Sequence, residues 1–453
     1  MLYSAFRLLA TIALEVFFRR IEVEGLDGVP AQGAVLLLPN HTNSLVDPLV
    51  LVTAIDRRLT VTAKHVLRQN PLLRALFWAL GVVVVHRRQD VDKGADPRQN
   101  VEALARLGAI LDAGGAVCLF PEGVSHSGPA LRPFHSGAAR LAVAFAQRHG
   151  LSKALSVVPV GLHYTDKDTF RSSVWLRCGE PVDASRWLAD HPGADARALT
   201  QDIYDRVRAI TLNYDSRRES AVLGMAAELV VTAGAMPAPL GRDEPEVAAW
   251  FRLLARLQEG YRQLSHEAPD AVQALVQRIG RYRAALRRAG ILPAEVFLSM
   301  HPGRVALFVL REFELLVVGA PLAGWGTLHH AAPYLATRAA ARALSTDEDH
   351  WATNTVYPGV VIFLVWYLAV LTLAWWLMPP AWAALYSALL PYTGYYALLY
   401  RERAGSALRR TRTFLRFLTK PSLQRDLASE GRAIIDSIGR LAARLDSPHE
   451  VTP

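Results

Sequence analysis

Residues 34–48 read Ala34-Val35-Leu36-Leu37-Leu38-Pro39-Asn40-His41-Thr42-Asn43-Ser44-Leu45-Val46-Asp47-Pro48. An unbroken apolar run of strand length gives way to a polar turn, and then to a helix start. Such a run, without alternation, marks a strand buried on both faces. Working outward, similar short runs lie at 59–63, 81–85, 116–120 and 156–162. Helix-like segments separate them near 48–56, 71–80, 98–113 and 136–148. This alternation predicts an α/β fold, a largely parallel mixed sheet flanked by helices. Polar clusters follow the strand ends: Asn40-His41 after the first, Arg87-Arg88 after the third, Pro121-Glu122-Gly123 after the fourth. Ligands of open α/β sheets bind outside the carboxyl ends of the strands, so the clusters point to one site.

Each cluster alone has two readings. His41 with a carboxylate to orient it can take a proton from a hydroxyl. Asp47-Pro48 also reads as a plain helix start, with Asp at the N-cap and Pro at N1. Arg87 and Arg88 suit phosphate through bidentate guanidinium contacts, or simply face water. In Phe120-Pro121-Glu122-Gly123-Val124-Ser125-His126, Gly123 permits close backbone approach and Glu122 can orient a basic or hydroxyl group. The bland alternative is an ordinary strand-to-loop turn. The run from Val158 to Tyr164 is mostly apolar and suits sheet core or the wall of an acyl channel.

The remainder of the 453-residue chain is organised by hydropathy and charge. Hydrophobic residues make up 51%, which excludes a disordered protein. Two cysteines exclude a disulfide scaffold and a cysteine-rich zinc site, and no metal site is expected. Met1 to Phe18 contain Arg7 and Glu15 and lack a small-x-small cleavage site, against a signal peptide. That start, followed by Arg19-Arg20, suits a helix lying in a membrane interface. Residues 358–400 hold no charged side chain, and about 20 apolar residues suffice for one crossing, so a two-pass hairpin turning at Pro379-Pro380 is expected. Trp and Tyr crowd it in the manner of interfacial aromatics. Residues 315–337 are uncharged, but Gly319, Pro321, Gly324, Gly326 and Pro333 suggest a re-entrant or interfacial piece. Fifty Lys and Arg against 41 Asp and Glu give a net charge of +9. Much of this surplus follows the hairpin, from Arg401 to Arg425, which points to a phospholipid surface rather than nucleic acid. By the positive-inside rule, the tail and the block before the hairpin are cytoplasmic.

The blocks Asn40-His41…Asp47, Arg87, Phe120-Pro121-Glu122-Gly123 and Val158-Pro159-Val160-Gly161, in this order, resemble the glycerolipid acyltransferase family of lysophosphatidate and glycerol-3-phosphate acyltransferases. The resemblance covers roughly 30–185. It implies a membrane-bound O-acyltransferase moving a fatty acyl group from acyl-CoA or acyl carrier protein to a glycerol-phosphate acceptor, with no cofactor. His41 would be the base, held by Asp47. Arg87, Glu122 and Gly123 would bind the acceptor phosphate. Asn40, Ser125 and His135 would support the site. Five residues separate His41 from Asp47 where the family usually has four; on one continuous helix the extra residue would turn Asp47 by about 100°. A longer-spaced subgroup resembles fungal acyltransferases acting on glycerol 3-phosphate and dihydroxyacetone phosphate, and it too continues into membrane segments. It commonly has Lys where this chain has His135, a pH-dependent substitute that Lys64 and Arg140 could supplement. Remodelling of lysophospholipids is the alternative within the enzyme class; a non-catalytic lipid-binding protein is the alternative outside it.

The expected organisation is an interfacial helix at 1–30, an acyltransferase-type domain at 31–215, amphipathic helices at 216–305, a membrane region at 306–400 and a basic cytoplasmic tail at 401–453. The cytoplasmic membrane is the expected location.

Overall fold

A computed structural model describes residues 2–64, 74, 77, 80–85, 98, 100–167, 169–234, 247–298, 301–344 and 351–446. The chain divides into two compact units, Met1–Asn213 with Thr337–Val361, and Tyr214–Ala336 with Ile362–Pro453.

The first unit is a mixed sheet covered by helices. In chain order it runs α1 (Leu2–Phe17), β1 (Arg20–Glu24), β2 (Ala34–Pro39), α2 (Val46–Ala54), β3 (Leu59–Lys64), β4 (Val83–Val85), α3 (Asn100–Asp112), β5 (Ala116–Cys118), α4 (Gly137–His149), β6 (Leu155–Tyr164), β7 (Ser173–Cys178), β8 (Val182–Asp183), α5 (Ala184–Asp190) and α6 (Ala196–Ala209). The strand order is β1-β7-β6-β2-β5-β3-β4, with β8 also on β6. β6, β2, β5, β3 and β4 pair in parallel, whereas β7 and β8 run antiparallel to β6. The parallel block therefore brings the ends of β2, β5, β3 and β6 to one edge.

The apolar run that opens the sequence reading explains the layers. Along β2, Val35 and Leu37 face one core with Leu14, Phe18, Val46, Val50 and Val160. Ala34, Leu36 and Leu38 face the other, with Leu107, Leu111, Phe145 and Val157. Successive side chains alternate across a strand, so a strand covered on both sides must be apolar throughout. Leu36, Leu37 and Leu38 are fully buried, and each such side chain contributes about 1.5–3 kcal/mol. Both cysteines sit in this interior, Cys118 wholly buried and Cys178 nearly so.

The second unit is helical. It holds α7 (Arg217–Gly234), α8 (Val247–Glu267), α9 (Pro269–Ala289), α10 (Pro293–Val296), most of α11 (Pro302–Leu344) and α12 (Trp351–Leu377), then α13 (Pro380–Thr419) and α14 (Pro421–Asp446). Leu229, Ile279, Tyr282, Leu286, Phe417 and Ile434 make its core. The amphipathic helices after residue 216 thus pack on one another.

Two membrane expectations change. Residues 315–337 form no re-entrant piece but belong to the 43-residue helix α11. Pro333 has no N–H for the carbonyl of His329, and that carbonyl instead accepts from Trp366 Nε1 at 2.9 Å. A Cβ on Gly326 would lie 2.1 Å from the Thr393 carbonyl oxygen, so glycine there lets α13 approach closely. The expected hairpin is a pair of helices breaking at Met378-Pro379. Among the described residues only one helix, Thr353–Leu377, is long and apolar enough to cross a membrane. The second limb carries Ser387, Pro391, Thr393 and several tyrosines, and it continues into the arginine-rich stretch, so it does not match the first as a span.

Candidate active site

The site begins at the end of β2. Asn40 uses its side-chain amide as a strand would use its backbone: Oδ1 accepts from Leu162 N at 2.7 Å and Nδ2 donates to Leu162 O at 3.1 Å. This pins the strand end to β6 and fixes where His41 leaves the sheet. The chain then winds around one carboxylate. Asp47 Oδ2 accepts from Thr42 N and Asn43 N, both at 2.8 Å, and lies 2.9 Å from His41 Nδ1. Its Oδ1 accepts from the Tyr164 hydroxyl at 2.5 Å. Asp47 is fully buried, and these four donors compensate the burial of a charged group.

Asp47 is not the N-cap of α2. Leu45 occupies that position, and Asp47 lies one residue inside the helix with its carboxylate turned back on the loop. The loop absorbs the extra residue between His41 and Asp47, and the two side chains meet. A carboxylate only accepts, so His41 donates from Nδ1 and its Nε2 keeps a lone pair. The imidazole stacks on Phe120, ring centres 4.0 Å apart. Burial and the Asp47 charge hold the Tyr164 hydroxyl well above its ordinary pKa, so it remains a donor.

The loop after β5 is organised by Glu122, which is 2% exposed. Oε1 accepts from His41 N at 2.6 Å; Oε2 accepts from Arg132 N at 2.9 Å and lies 2.6 Å from His126 Nε2. Gly128 N donates to His126 Nδ1 at 2.9 Å, which leaves the ring proton on Nε2, facing Glu122. Both carboxylate oxygens are therefore engaged by protein donors, and Glu122 braces the backbone under His41. Gly123 has φ of +69°, and a Cβ there would meet the His135 ring at 2.9 Å. His135, whose N donates to Pro121 O at 2.8 Å, is thereby stacked on the turn.

The remaining expected residues fall as follows. Lys64 ends β3, on the same sheet edge as His41. Ser125 is half-buried in the loop beside His126, and Arg140 is exposed in the first turn of α4. Arg87 lies outside the described residues. The structure adds three residues without an assigned role in the sequence: Tyr164, His126 and Lys167. Lys167 Nζ donates to Thr42 O at 3.2 Å and bonds Ser127 Oγ, tying the His41 loop to the Glu122 loop. The signal available for Tyr164 was its place at the end of the apolar run that begins at Val158. No metal-binding group of His, Cys, Asp and Glu occurs among the described residues.

Beside the loop, a small apolar cleft of about 50 Å³ is lined by Tyr3, Phe6, Pro48, Val52, Leu80 and Tyr357, among others. The arrangement offers a half-buried, oriented imidazole whose Nε2 has no protein partner among the described residues, with an apolar recess beside its loop.

Known proteins are similar to this chain in sequence. The 1-acyl-sn-glycerol-3-phosphate acyltransferase of Borreliella burgdorferi is 26% identical over 182 residues, 40% of this chain and 64% of that protein. Glycerol-3-phosphate O-acyltransferase 2 of Saccharomyces cerevisiae is 38% identical over 125 residues, 27% of this chain and 17% of that one. Glycerol-3-phosphate O-acyltransferase 1 of the same yeast is 23% identical over 377 residues, 63% and 48% of the two chains. The chain thus spans less than two thirds of the length of each of these relatives. The crystal structure of the 1-acyl-sn-glycerophosphate (LPA) acyltransferase PlsC from Thermotoga maritima aligns with a TM-score of 0.35 at 20% identity, over 46% of this chain and 77% of that one. Residues 20–163, which include His41, Asp47 and Glu122, match the profile of the Acyltransferase family, and this part of the chain is an Acyltransferase-family domain.

Proposed function

We propose that this chain is a membrane-bound O-acyltransferase of phospholipid synthesis, transferring a fatty acyl group from a thioester of CoA or acyl carrier protein to glycerol 3-phosphate or a lysophosphatidate-type acceptor. The observation that carries the reading is the His41 Nδ1–Asp47 Oδ2 contact of 2.9 Å, which leaves Nε2 as a base. His41 Nε2 takes the proton of the acceptor hydroxyl as its oxygen bonds to the thioester carbonyl carbon. The C–S bond of the resulting tetrahedral adduct breaks, and the thiolate leaves with the proton from Nε2. Asp47 stabilises the imidazolium between these two transfers. The cleft beside Pro48 takes the acyl chain. Arg87, Lys64 and Arg140 hold the acceptor phosphate; Glu122 and Gly123 shape that subsite by fixing the turn. The apolar helix Thr353–Leu377 anchors the protein in the bilayer, and the arginines after residue 400 favour the cytoplasmic side.

The test is acyl transfer by purified protein to both acceptors, offered singly and in competition. His41→Ala is expected to lower kcat by about a thousandfold or more with the fold retained. A folded His41→Ala protein with full transfer would sink the base assignment, and a preference for other lysophospholipids would favour remodelling.

A further inference from the structure

We infer that the apolar helix α12 is a working part of the active site, and that Thr353 and Tyr357 on its first turns are positioning residues for the loop that sets His41 against Asp47. The inference rests on the acyl-transfer reading above and extends it to residues more than 300 positions from the base.

Between His41 and Asp47 the chain must turn sharply. Ser44, at the apex, has φ of +30°, a left-handed conformation that residues other than glycine adopt only when their surroundings enforce it. The next residue, Leu45, starts α2, where a backbone N–H has no partner within the helix. Leu45 N donates to Thr353 Oγ1 at 3.2 Å, and the Tyr357 hydroxyl donates to Leu45 O at 3.4 Å. Thr353 and Tyr357 are four residues apart and so share one face of α12. Thr353 is buried, and Val356 beside it enters the same core as Val46, Leu49 and Val50 of α2. The first turns of α12 accordingly belong to the same compact unit as the sheet.

The polar side chains here have a specific task. Within residues 41–47, Thr42 N and Asn43 N are committed to Asp47, and Asn43 Nδ2 donates to Lys167 O at 3.4 Å. Leu45 is the point at which helix α12 holds the turn, beside the holds from Lys167 and Glu122. Removing the Thr353 hydroxyl orphans a part-buried N–H next to the strained residue, and the loop relaxes. Because Asp47 follows Leu45 by two positions, this relaxation is felt first at the His41–Asp47 contact. Seating of the candidate membrane span and geometry of the base are thereby coupled through two hydroxyl groups.

The experiment uses the full chain in nanodiscs containing anionic phospholipid, with acyl-CoA and glycerol 3-phosphate or lysophosphatidate. Steady-state rates are measured alongside hydrogen exchange by mass spectrometry. Thr353→Val is expected to lower kcat by about tenfold, since small misplacements of a catalytic group have large rate effects, while KM for both substrates changes less than about twofold. Exchange should rise in peptides covering 41–47 and stay unchanged in those covering β2 and β6. Thr353→Ser, which retains the hydroxyl, should recover most of the rate; Tyr357→Phe should give a smaller loss, its bond being longer. Wild-type kcat and wild-type exchange at 41–47 in Thr353→Val would overturn the inference, as would a loss accompanied by faster exchange throughout the sheet. A wild-type protein inactive toward every acceptor would overturn the acyl-transfer reading, while the exchange data would still judge the helix–loop contact.

Discussion

Four donors converge on the Asp47 carboxylate, and only one of them, the Tyr164 hydroxyl, comes from another strand. Substituting Tyr164→Phe leaves Oδ1 one donor short in a buried site. Expected is a fall in kcat of about tenfold with little change in KM, because the lost bond is worth about one factor of ten. Steady-state rates of the wild type and the variant, with the fold of each checked by circular dichroism, test this. His41, Asp47 and Glu122 were legible in the sequence because each follows a strand end within a short motif. Tyr164 was not, because its contact depends on the register of β6 against β2, across a separation of 117 residues. The motif also offered Glu122 as a contact for phosphate. What it did not show is that both oxygens are filled by His41 N, Arg132 N and His126.

Among the elements, the strands of the parallel block were readable as continuous apolar runs, and β1 was not. Its sequence, Arg20-Ile21-Glu22-Val23-Glu24, has the charged alternation of an edge strand, which looks like surface until its pairing with β7 is known. The continuity of α11 was hidden for a related reason: the partner that satisfies the carbonyl freed by Pro333 is an indole on α12. Helix α1 shows two faces. Ala10, Leu14 and Phe17 are buried, while Leu8, Leu9, Ile12 and Val16 are exposed. An exposed apolar face on a helix is suited to the acyl boundary of a bilayer, as the membrane-bound reading proposed above requires. With a nitroxide at Leu8→Cys or Ile12→Cys in vesicles, collision with oxygen should exceed collision with a water-soluble nickel chelate several-fold. The reverse order would place this face in water.

For the whole molecule, the +9 charge and the apolar surplus resolve into neighbouring segments rather than one mixed surface. Stability has its own pH dependence in the sheet unit. His163 stacks on Trp175 with Nε2 3.0 Å from Ile210 O, and burial brings its pKa down to about 4, opposed by that hydrogen bond and aided by Arg177. The unfolded chain takes up this proton below about 6.5, while the folded chain resists it until about 4. The contribution is thus complete above the unfolded pKa and is lost as pH falls through that window, by roughly 3 kcal/mol in all. Melting curves between pH 7.5 and 4.5 should show His163→Gln, which keeps a donor without titrating, losing less stability than wild type.

The two buried cysteines carry a last consequence. Burial with the nearby Asp47 charge pushes the Cys118 thiol far above its ordinary pKa, and burial brings Cys178 up to about 12. Neither forms a thiolate at physiological pH, and thiolate is the form that attacks acyl carbon. On the acyl-transfer reading proposed above, a protein handling activated thioesters beside its own sheet would thereby be spared self-acylation: the donor's carbonyl would meet an oxygen nucleophile delivered by His41, and no competing thiolate.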